Sequence, residues 1–230
     1  MTSFRNLVRV ALLAACAVAS TRPAGALAQG VDAAALASQY AANAKQNATL
    51  LRQYSWKMRV EPTVKGETKP PTVYQLRFDL DGKLQKTVLT APPPPEAKGL
   101  GKRIKEKKIE EMKDWAGDLA DLVKKYMAPT PGNMMDFYAK AAVAPEADGT
   151  TRVSAGSFLQ PGDTATFWID KATNVPVRYA FTTALEGDPV EGKVDYGQVQ
   201  GGPQYAARVV VSVPAKQASA KVETFDYLKQ

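Results

Sequence analysis

From Arg152 to the C-terminus the sequence offers only strand and turn. Extended segments fall at about 151–160, 164–170, 175–185, 191–199, 205–213 and 219–228. Turn-forming residues break them at Pro161-Gly162-Asp163, Thr173-Asn174, Gly187-Asp188-Pro189 and Gly201-Gly202-Pro203. A parallel strand pair needs a crossover of a dozen or more residues, and these connections are much shorter. The spacing therefore predicts an antiparallel meander.

More strands stand upstream. Trp56, Met58 and Val60 alternate with Lys57, Arg59 and Glu61, the period of a half-buried strand. Glu67 to Pro71 reads as a turn. Tyr74, Leu76, Phe78 and Leu80 alternate with Gln75, Arg77 and Asp79, and Asp81-Gly82 joins them to a second extended run, Leu84 to Leu89. Asp-Gly between two such runs is a hairpin signal, because the turn favours positive φ. A calcium loop does not fit here: aligning Gly82 with the loop glycine puts Arg77 at the first ligand position and Val88 at the glutamate position.

The helical periods lie elsewhere. Residues 32–53 are alanine-rich, with Leu36, Tyr40, Ala44, Ala48 and Leu51 on one narrow stripe and Asp32 placed as an N-cap. After the stiff Pro92–Pro95 stretch, a long helix is predicted over 102–127, closed by Pro129 and Pro131, with a short helix from about Met134 to Ala142. The order is helix, hairpin, helical insert at about 98–142, then six strands. The class is α+β, with eight or nine strands.

The long helix divides cleanly at 100° per residue. Met112, Trp115, Leu119, Val123 and Tyr126 share a wide apolar arc, and Glu110, Lys113, Asp114, Asp118 and Asp121 fill the other side. Such a face either completes the core against the sheet or acts as a lid over a cavity, and periodicity alone does not separate these. At the helix start Lys98, Lys102, Arg103, Lys105, Lys107 and Lys108 crowd together with one acid, Glu106. Cations there oppose the helix dipole. They are either a solvated end with snorkelling lysines or a basic rim suited to an anionic membrane surface or an acidic envelope protein.

Composition removes whole classes of chemistry. There are no histidines and a single cysteine, Cys16. Ser-His-Asp catalysis, an imidazole base and His-ligated zinc or haem are excluded. Asp163 with Asp170, or Asp195 with Glu191, form carboxylate pairs only on paper, since their expected places are turns and solvent faces. No catalytic, metal-binding or cofactor-binding residue is assigned.

The first 28 residues have the form of an export signal. Arg5 and Arg9 precede an uncharged apolar run, Val10 to Ser20, and Ala26-Leu27-Ala28 is a small-residue cleavage pattern. A rival processing site is the lipobox-like Leu13-Ala14-Ala15-Cys16, which would make the chain a membrane-anchored lipoprotein. Both routes lead out of the cytoplasm, and the domain is expected to span 29–230. Removing residues 1–28 takes away Arg5, Arg9 and Arg22 and no acid, so 30 basic residues become 27 against 23 acidic, and the net charge falls from +7 to +4. So modest a charge does not indicate nucleic-acid binding.

The run Phe167-Trp168-Ile169-Asp170-Lys171 through Asn174-Val175-Pro176-Val177-Arg178-Tyr179 is similar to the "WID…P.R" hairpin of the periplasmic lipoprotein-carrier superfamily. That superfamily includes the outer-membrane lipoprotein-sorting carriers and a sigma-E regulatory lipid-sensing protein. Asp195-Tyr196, Gly201-Gly202-Pro203, the Val209–Val213 run and the closing Val222 to Tyr227 resemble the rest of its pattern. The resemblance implies an unclosed antiparallel half-barrel whose concave, apolar side is covered by helices and holds a lipid, acyl chain or lipoprotein. The polyproline loop and basic helix stand where the carriers have an aromatic-Arg-Pro segment, so no functional residue is carried over.

The resulting expectation is an exported, non-enzymatic binding protein without cofactor, its hydrophobic ligand held between sheet and lid helix. The alternative is an envelope interaction or regulatory module with a filled core. The candidate ligand-facing residues are Trp56, Met58, Leu76, Phe78, Phe167, Tyr179 and Phe181 from strands, and Met112, Trp115, Leu119 and Val123 from the helix.

Overall fold

The computed structural model describes residues 33–92 and 102–230, with the side chains of residues 33, 35, 102–110 and 113 left aside. The export signal, Cys16 and Asp32 lie outside the described residues. So do the side chains of the basic rim, Lys102, Arg103, Lys105 and Lys108. Helix α1 (Ala33–Leu51) leads into β1 (Tyr54–Val64), β2 (Glu67–Thr68), β3 (Thr72–Phe78) and β4 (Leu84–Thr90). Helices α2 (Lys102–Met127) and α3 (Pro131–Lys140) follow. The chain then continues through β5 (Ala142–Pro145), β6 (Thr150–Gly156), β7 (Thr164–Asp170), β8 (Pro176–Leu185), β9 (Asp188–Gln198), β10 (Gln204–Val213) and β11 (Ala218–Lys229).

The eleven strands of the described residues form one antiparallel sheet in the order β4-β3-β1-β11-β10-β9-β8-β7-β6-β5, with β2 paired to β1. Its edges, β4 and β5, do not pair, so the barrel stays open. The class is α+β and the sheet is an unclosed half-barrel. The C-terminal strand closes onto β1, joining the N-terminal hairpin to the meander.

Local chemistry explains the turns. Asp79 accepts the backbone N–H groups of Asp81 and Lys83 at 3.0 and 2.8 Å, and Gly82 takes φ 76°. The Lys83 N–H, the Gln85 side chain and the Asp81 N–H hold the Asp79 carboxyl below its ordinary range, and the hairpin turn expected at Asp81-Gly82 is present. At α3, Thr130 and Asn133 make a reciprocal capping box and Pro131 occupies the first turn.

Three expectations need correction. The predicted turn at 67–71 contains the short strand β2. The short helix stops at Lys140 instead of reaching Ala142, and Ala142–Pro145 becomes edge strand β5, which brings the sheet to eleven strands rather than eight or nine. The strand expected to run to residue 160 ends at Gly156; residues 157–163 instead wrap around Asp163, which is 2% exposed and faces the interior. The Asp163 carboxylate accepts the N–H groups of Phe158, Leu159 and Gln160 and the hydroxyl proton of Tyr126. Tyr126 also lies 2.8 Å from the Thr183 hydroxyl. A buried carboxylate needs such a donor set. The knot fastens the C-terminal turn of α2 to the sheet.

One register row shows where the core sits. Val153, Phe167, Tyr179, Val194, Val209, Val222 and Val60 are successive cross-strand partners from β6 to β1 on one face. Val153 to Val194 are buried among Phe137, Met134, Tyr126 and Ala37 from the helices. Val190, Val211 and Val213 form a second cluster under Trp115, Leu119, Leu122 and Val123 of α2. Neither cluster contains a residue of β1, β3, β4 or β11. The opposite face carries ion pairs such as Arg59–Glu61 and Lys221–Glu223, as the charged half of the alternation requires.

Candidate functional site: a cavity under helices α1 and α3

Helix α1 lies across β7–β10 and touches α3 without closing down on the sheet, and a cavity of about 750 Å³ separates them. Asn47 ties α1 to the sheet. Its side-chain amide donates to the Gln204 carbonyl at 2.9 Å and accepts the Gln204 N–H at 2.7 Å, completing the bonds a strand partner would make at the start of β10. Gln204 in turn donates from its side chain to the Pro176 carbonyl, tying β10 to β8. The apolar stripe of α1 seen in the sequence, Leu36, Tyr40 and Ala44, forms the roof. Val153, Phe167, Ile169, Tyr179 and Tyr196 form the floor, and Met127, Met134 and Tyr138 form the wall toward α2 and α3.

The aromatic floor is ordered by stacking. Phe167 and Tyr179, a cross-strand pair, stack at 4.4 Å between ring centroids, and Tyr126 stacks on Phe181 at 4.6 Å. Phe181 lies directly over Gly192: a Cβ there would sit 2.1 Å from its ring, so only glycine fits beneath it. Phe137, fully buried, meets Phe158 and Phe167 edge-on at 5.4 and 5.3 Å.

The electrostatics are those of a neutral chamber. Among its lining residues only Asp170 and Lys171 carry charge, side by side at the β7–β8 turn. Asp170 accepts backbone N–H groups from Thr173 and Ala172, which hold its carboxyl below the ordinary range. The phenols of Tyr40, Tyr138, Tyr179 and Tyr196 are all pushed up, above all by burial, so they stay protonated. The one carboxylate among the described lining residues, Asp170, is engaged by its own turn. No group of three or more metal-ligating side chains occurs among the described residues. Nor is any described helix long and apolar enough to cross a membrane.

The residues proposed from sequence separate into three places. Phe167 and Tyr179 line the cavity, and Phe181 lies in the core beside it. Trp115 and Leu119 pack on the Val190–Val211–Val213 cluster, Val123 packs on that cluster and on the main core, none of the three is in the cavity lining, and Met112 is 39% exposed. Trp56, Leu76 and Phe78 gather at the other end of the sheet, where Trp56 stacks on Tyr227 at 5.7 Å and meets Phe78 at 5.8 Å; Met58 is half-buried there. The lid of the cavity is thus formed by α1 and α3, with only the last turn of α2 contributing.

Sequence reasoning left out Tyr138, Tyr196, Met134 and the Asn47–Gln204 clasp. Tyr40 and Ala44 were already on the α1 stripe, and Tyr196 alternates with Val194 and Val190 along β9. The available signal was that a second apolar stripe, on α1, also needed a partner.

No family model and no curated protein matches the chain. Among solved structures it is similar to a putative outer membrane lipoprotein-sorting protein domain from Vibrio parahaemolyticus, with 10% identity over 86% of this chain and 93% of that one, and a TM-score of 0.43. A DUF1329 family protein from Desulfovibrio piger gives 10% identity, 87% and 94% coverage and a TM-score of 0.42. A LolA superfamily protein from Nitrosomonas europaea gives 9% identity, 87% and 94% coverage and a TM-score of 0.37.

Proposed function

We propose that this chain is an exported, non-enzymatic binding protein that holds a hydrophobic ligand, such as a lipid, an acyl chain or the lipid of a lipoprotein, between α1, α3 and the sheet. The observation that carries this reading is the cavity itself. At about 750 Å³ it falls within the usual range for small-molecule sites, and its floor is aromatic and aliphatic. The hairpin at 167–179 that resembles the lipoprotein carriers supplies two of its floor residues, Phe167 and Tyr179. In this reading the export signal is cleaved after Ala28, and the cationic stretch containing Lys102, Arg103, Lys105 and Lys108 meets an anionic membrane surface or an acidic envelope partner.

The test is uptake of a neutral fluorescent acyl ester by the wild type and by Ala44→Trp. Ala44 lines the cavity from α1 and is otherwise exposed, so an indole there fills the chamber without disturbing the core. Strong uptake by the wild type, lost in Ala44→Trp at an unchanged melting temperature, is the expected result. Equal uptake by both proteins would place the ligand elsewhere. No uptake by the wild type would favour the alternative, an envelope interaction module of the same fold. For that module the exposed edge strand β4, with Leu84, Val88 and Leu89 each at least half exposed, is the natural contact. The intact mass of the exported protein separates cleavage after Ala28 from lipidation at Cys16.

A further inference from the structure

Helix α1 carries its polar side chains the wrong way round for a helix lying on a sheet. Such a helix turns an apolar stripe inward and its polar side to water. All four carboxamides of α1, Gln39, Asn43, Gln46 and Asn47, line the cavity instead, interleaved with Leu36 and Tyr40. The helix's one charge, Lys45, stands on the opposite, exposed side with Ala42 and Ala48. Asn47 is engaged in the Gln204 clasp. The side chains of Gln39, Asn43 and Gln46 make no hydrogen bond among the described residues, and all three residues are exposed, so a molecule at the mouth of the chamber can reach them. Gln198 of β9 adds a carboxamide from the sheet. This amide rim borders the aromatic and aliphatic floor of Phe167, Ile169 and Val153. Charge among the described lining residues appears at one turn, where Asp170 and Lys171 offset each other.

We infer that the ligand of this cavity is an uncharged amphiphile with a hydroxyl-bearing headgroup, its hydrocarbon chain on the aromatic floor and its hydroxyls on the amide rim of α1. This rests on the reading of the cavity as a ligand site. It adds the headgroup class and three specificity-determining residues, Gln39, Asn43 and Gln46. A carboxamide both donates and accepts hydrogen bonds, and so does a hydroxyl, so the two groups pair in either direction. A simple alkyl ester offers acceptors only and leaves the amide oxygens of the rim to water. An anionic headgroup meets no net positive charge among the described lining residues and gives up part of its hydration on entry, which disfavours it. The site therefore sorts amphiphiles by headgroup: neutral hydroxyls accepted, anions rejected.

The experiment titrates monodecanoylglycerol, its dimethyl ether, methyl decanoate and decanoate into the full exported chain at pH 8, each displacing a neutral solvatochromic dye. The wild type is compared with the triple variant Gln39→Met, Asn43→Leu, Gln46→Met. These replacements keep the size of each side chain and suit a helix, and they remove only the hydrogen-bonding groups. Expected is a loss of glyceride affinity of about fivefold or more in the triple variant, the scale of one or more uncharged hydrogen bonds. Methyl decanoate should bind the variant at least as well as the wild type, which also reports that the variant is folded. A second comparison needs no variant: the dimethyl ether, although more apolar, has both hydroxyls capped and should bind the wild type about fivefold or more weaker than the glyceride. Decanoate should bind the wild type about tenfold or more weaker than the glyceride. Undiminished glyceride binding by the triple variant, a dimethyl ether as tight as the glyceride, or decanoate as tight as the glyceride would each overturn the inference while leaving a hydrophobic site in place. A wild type that binds none of the four compounds would remove the ligand site and the inference together.

Discussion

The two halves of the concave face carry the same alternation and end up with different fates. On β6–β9 the inward residues Val153, Phe167, Tyr179 and Val194 are all under 9% exposed, because α1, α2 and α3 return over them. On β11, β1, β3 and β4 the same face continues through Val222, Val60 and Tyr74 to Val88, which is 55% exposed. The strand pattern states only which residues share a face. Whether that face becomes core, cavity wall or open surface depends on which distant segment comes back to cover it. The cavity lies where coverage is incomplete in depth, under a helix tied to β10 through Asn47. The other half contributes no residue to the two helix-covered clusters, and its burial is confined to the end where Trp56 and Leu76 pack.

The largest effect that sharpens this contrast is expected at Phe137. Truncation to Ala removes a fully buried ring meeting three aromatic neighbours and should destabilise by about 3–5 kcal/mol, whereas Val88→Ala on β4 should stay within about 0.5 kcal/mol. Chemical denaturation of both variants reads the difference. Similar losses would mean that the β4 half is as well packed as the β8 half.

Helix α2 offers the next test, because periodicity puts Met112 and Leu119 on the same arc while the structure separates them. Leu119 packs on the Val190 cluster, so Leu119→Asp should cost roughly 2–3 kcal/mol in a thermal or urea melt. Met112→Asp, at an exposed site, should change stability by less than about 0.5 kcal/mol. Leu119→Asp should also leave ligand uptake by the folded fraction intact, since Leu119 is not in the cavity lining. Gly192→Ala comes next: with Phe181 directly over the glycine, the added methyl forces the ring aside at about 1–3 kcal/mol.

These separations explain what was legible. Turn chemistry and period-two alternation were enough for the six-strand meander and the β3–β4 hairpin, since both are written within a few residues. The cavity was not, because it is made by three segments far apart in the chain. Asn47 meets Gln204 across 157 residues, and an asparagine in an alanine-rich helix carries no local sign of that partner. Asp163 was assigned to solvent because Pro-Gly-Asp usually marks an exposed turn; here the loop folds its backbone N–H groups inward around the carboxylate. Phe167 and Tyr179 reach the cavity floor because bulky aromatics at inward strand positions are buried in either reading.

A smaller effect concerns pH. Burial raises the phenols of Tyr40, Tyr126, Tyr138, Tyr179 and Tyr196 above 10.0, and pushes that of Tyr227 to about 12. Each folded-state value lies above its unfolded one, so the neutral form is favoured by folding. That contribution is fully present below pH 10 and is lost as pH rises through the folded-state values. Stability should be flat from pH 8 to about 9.5 and fall steadily above 10, with phenolate absorbance appearing together with unfolding. Phenolate absorbance from most tyrosines near pH 10 in the folded protein would contradict the buried placement.

The central claim is that ligand occupies the covered half of the sheet, under α1 and α3. Hydrogen–deuterium exchange with and without methyl decanoate tests it most directly. Added protection in α1, α3 and β6–β9, with β1, β3 and β4 unchanged, is the predicted result. Protection confined to β1, β3, β4 and the first turns of α2 would put the ligand on the open face and contradict the account.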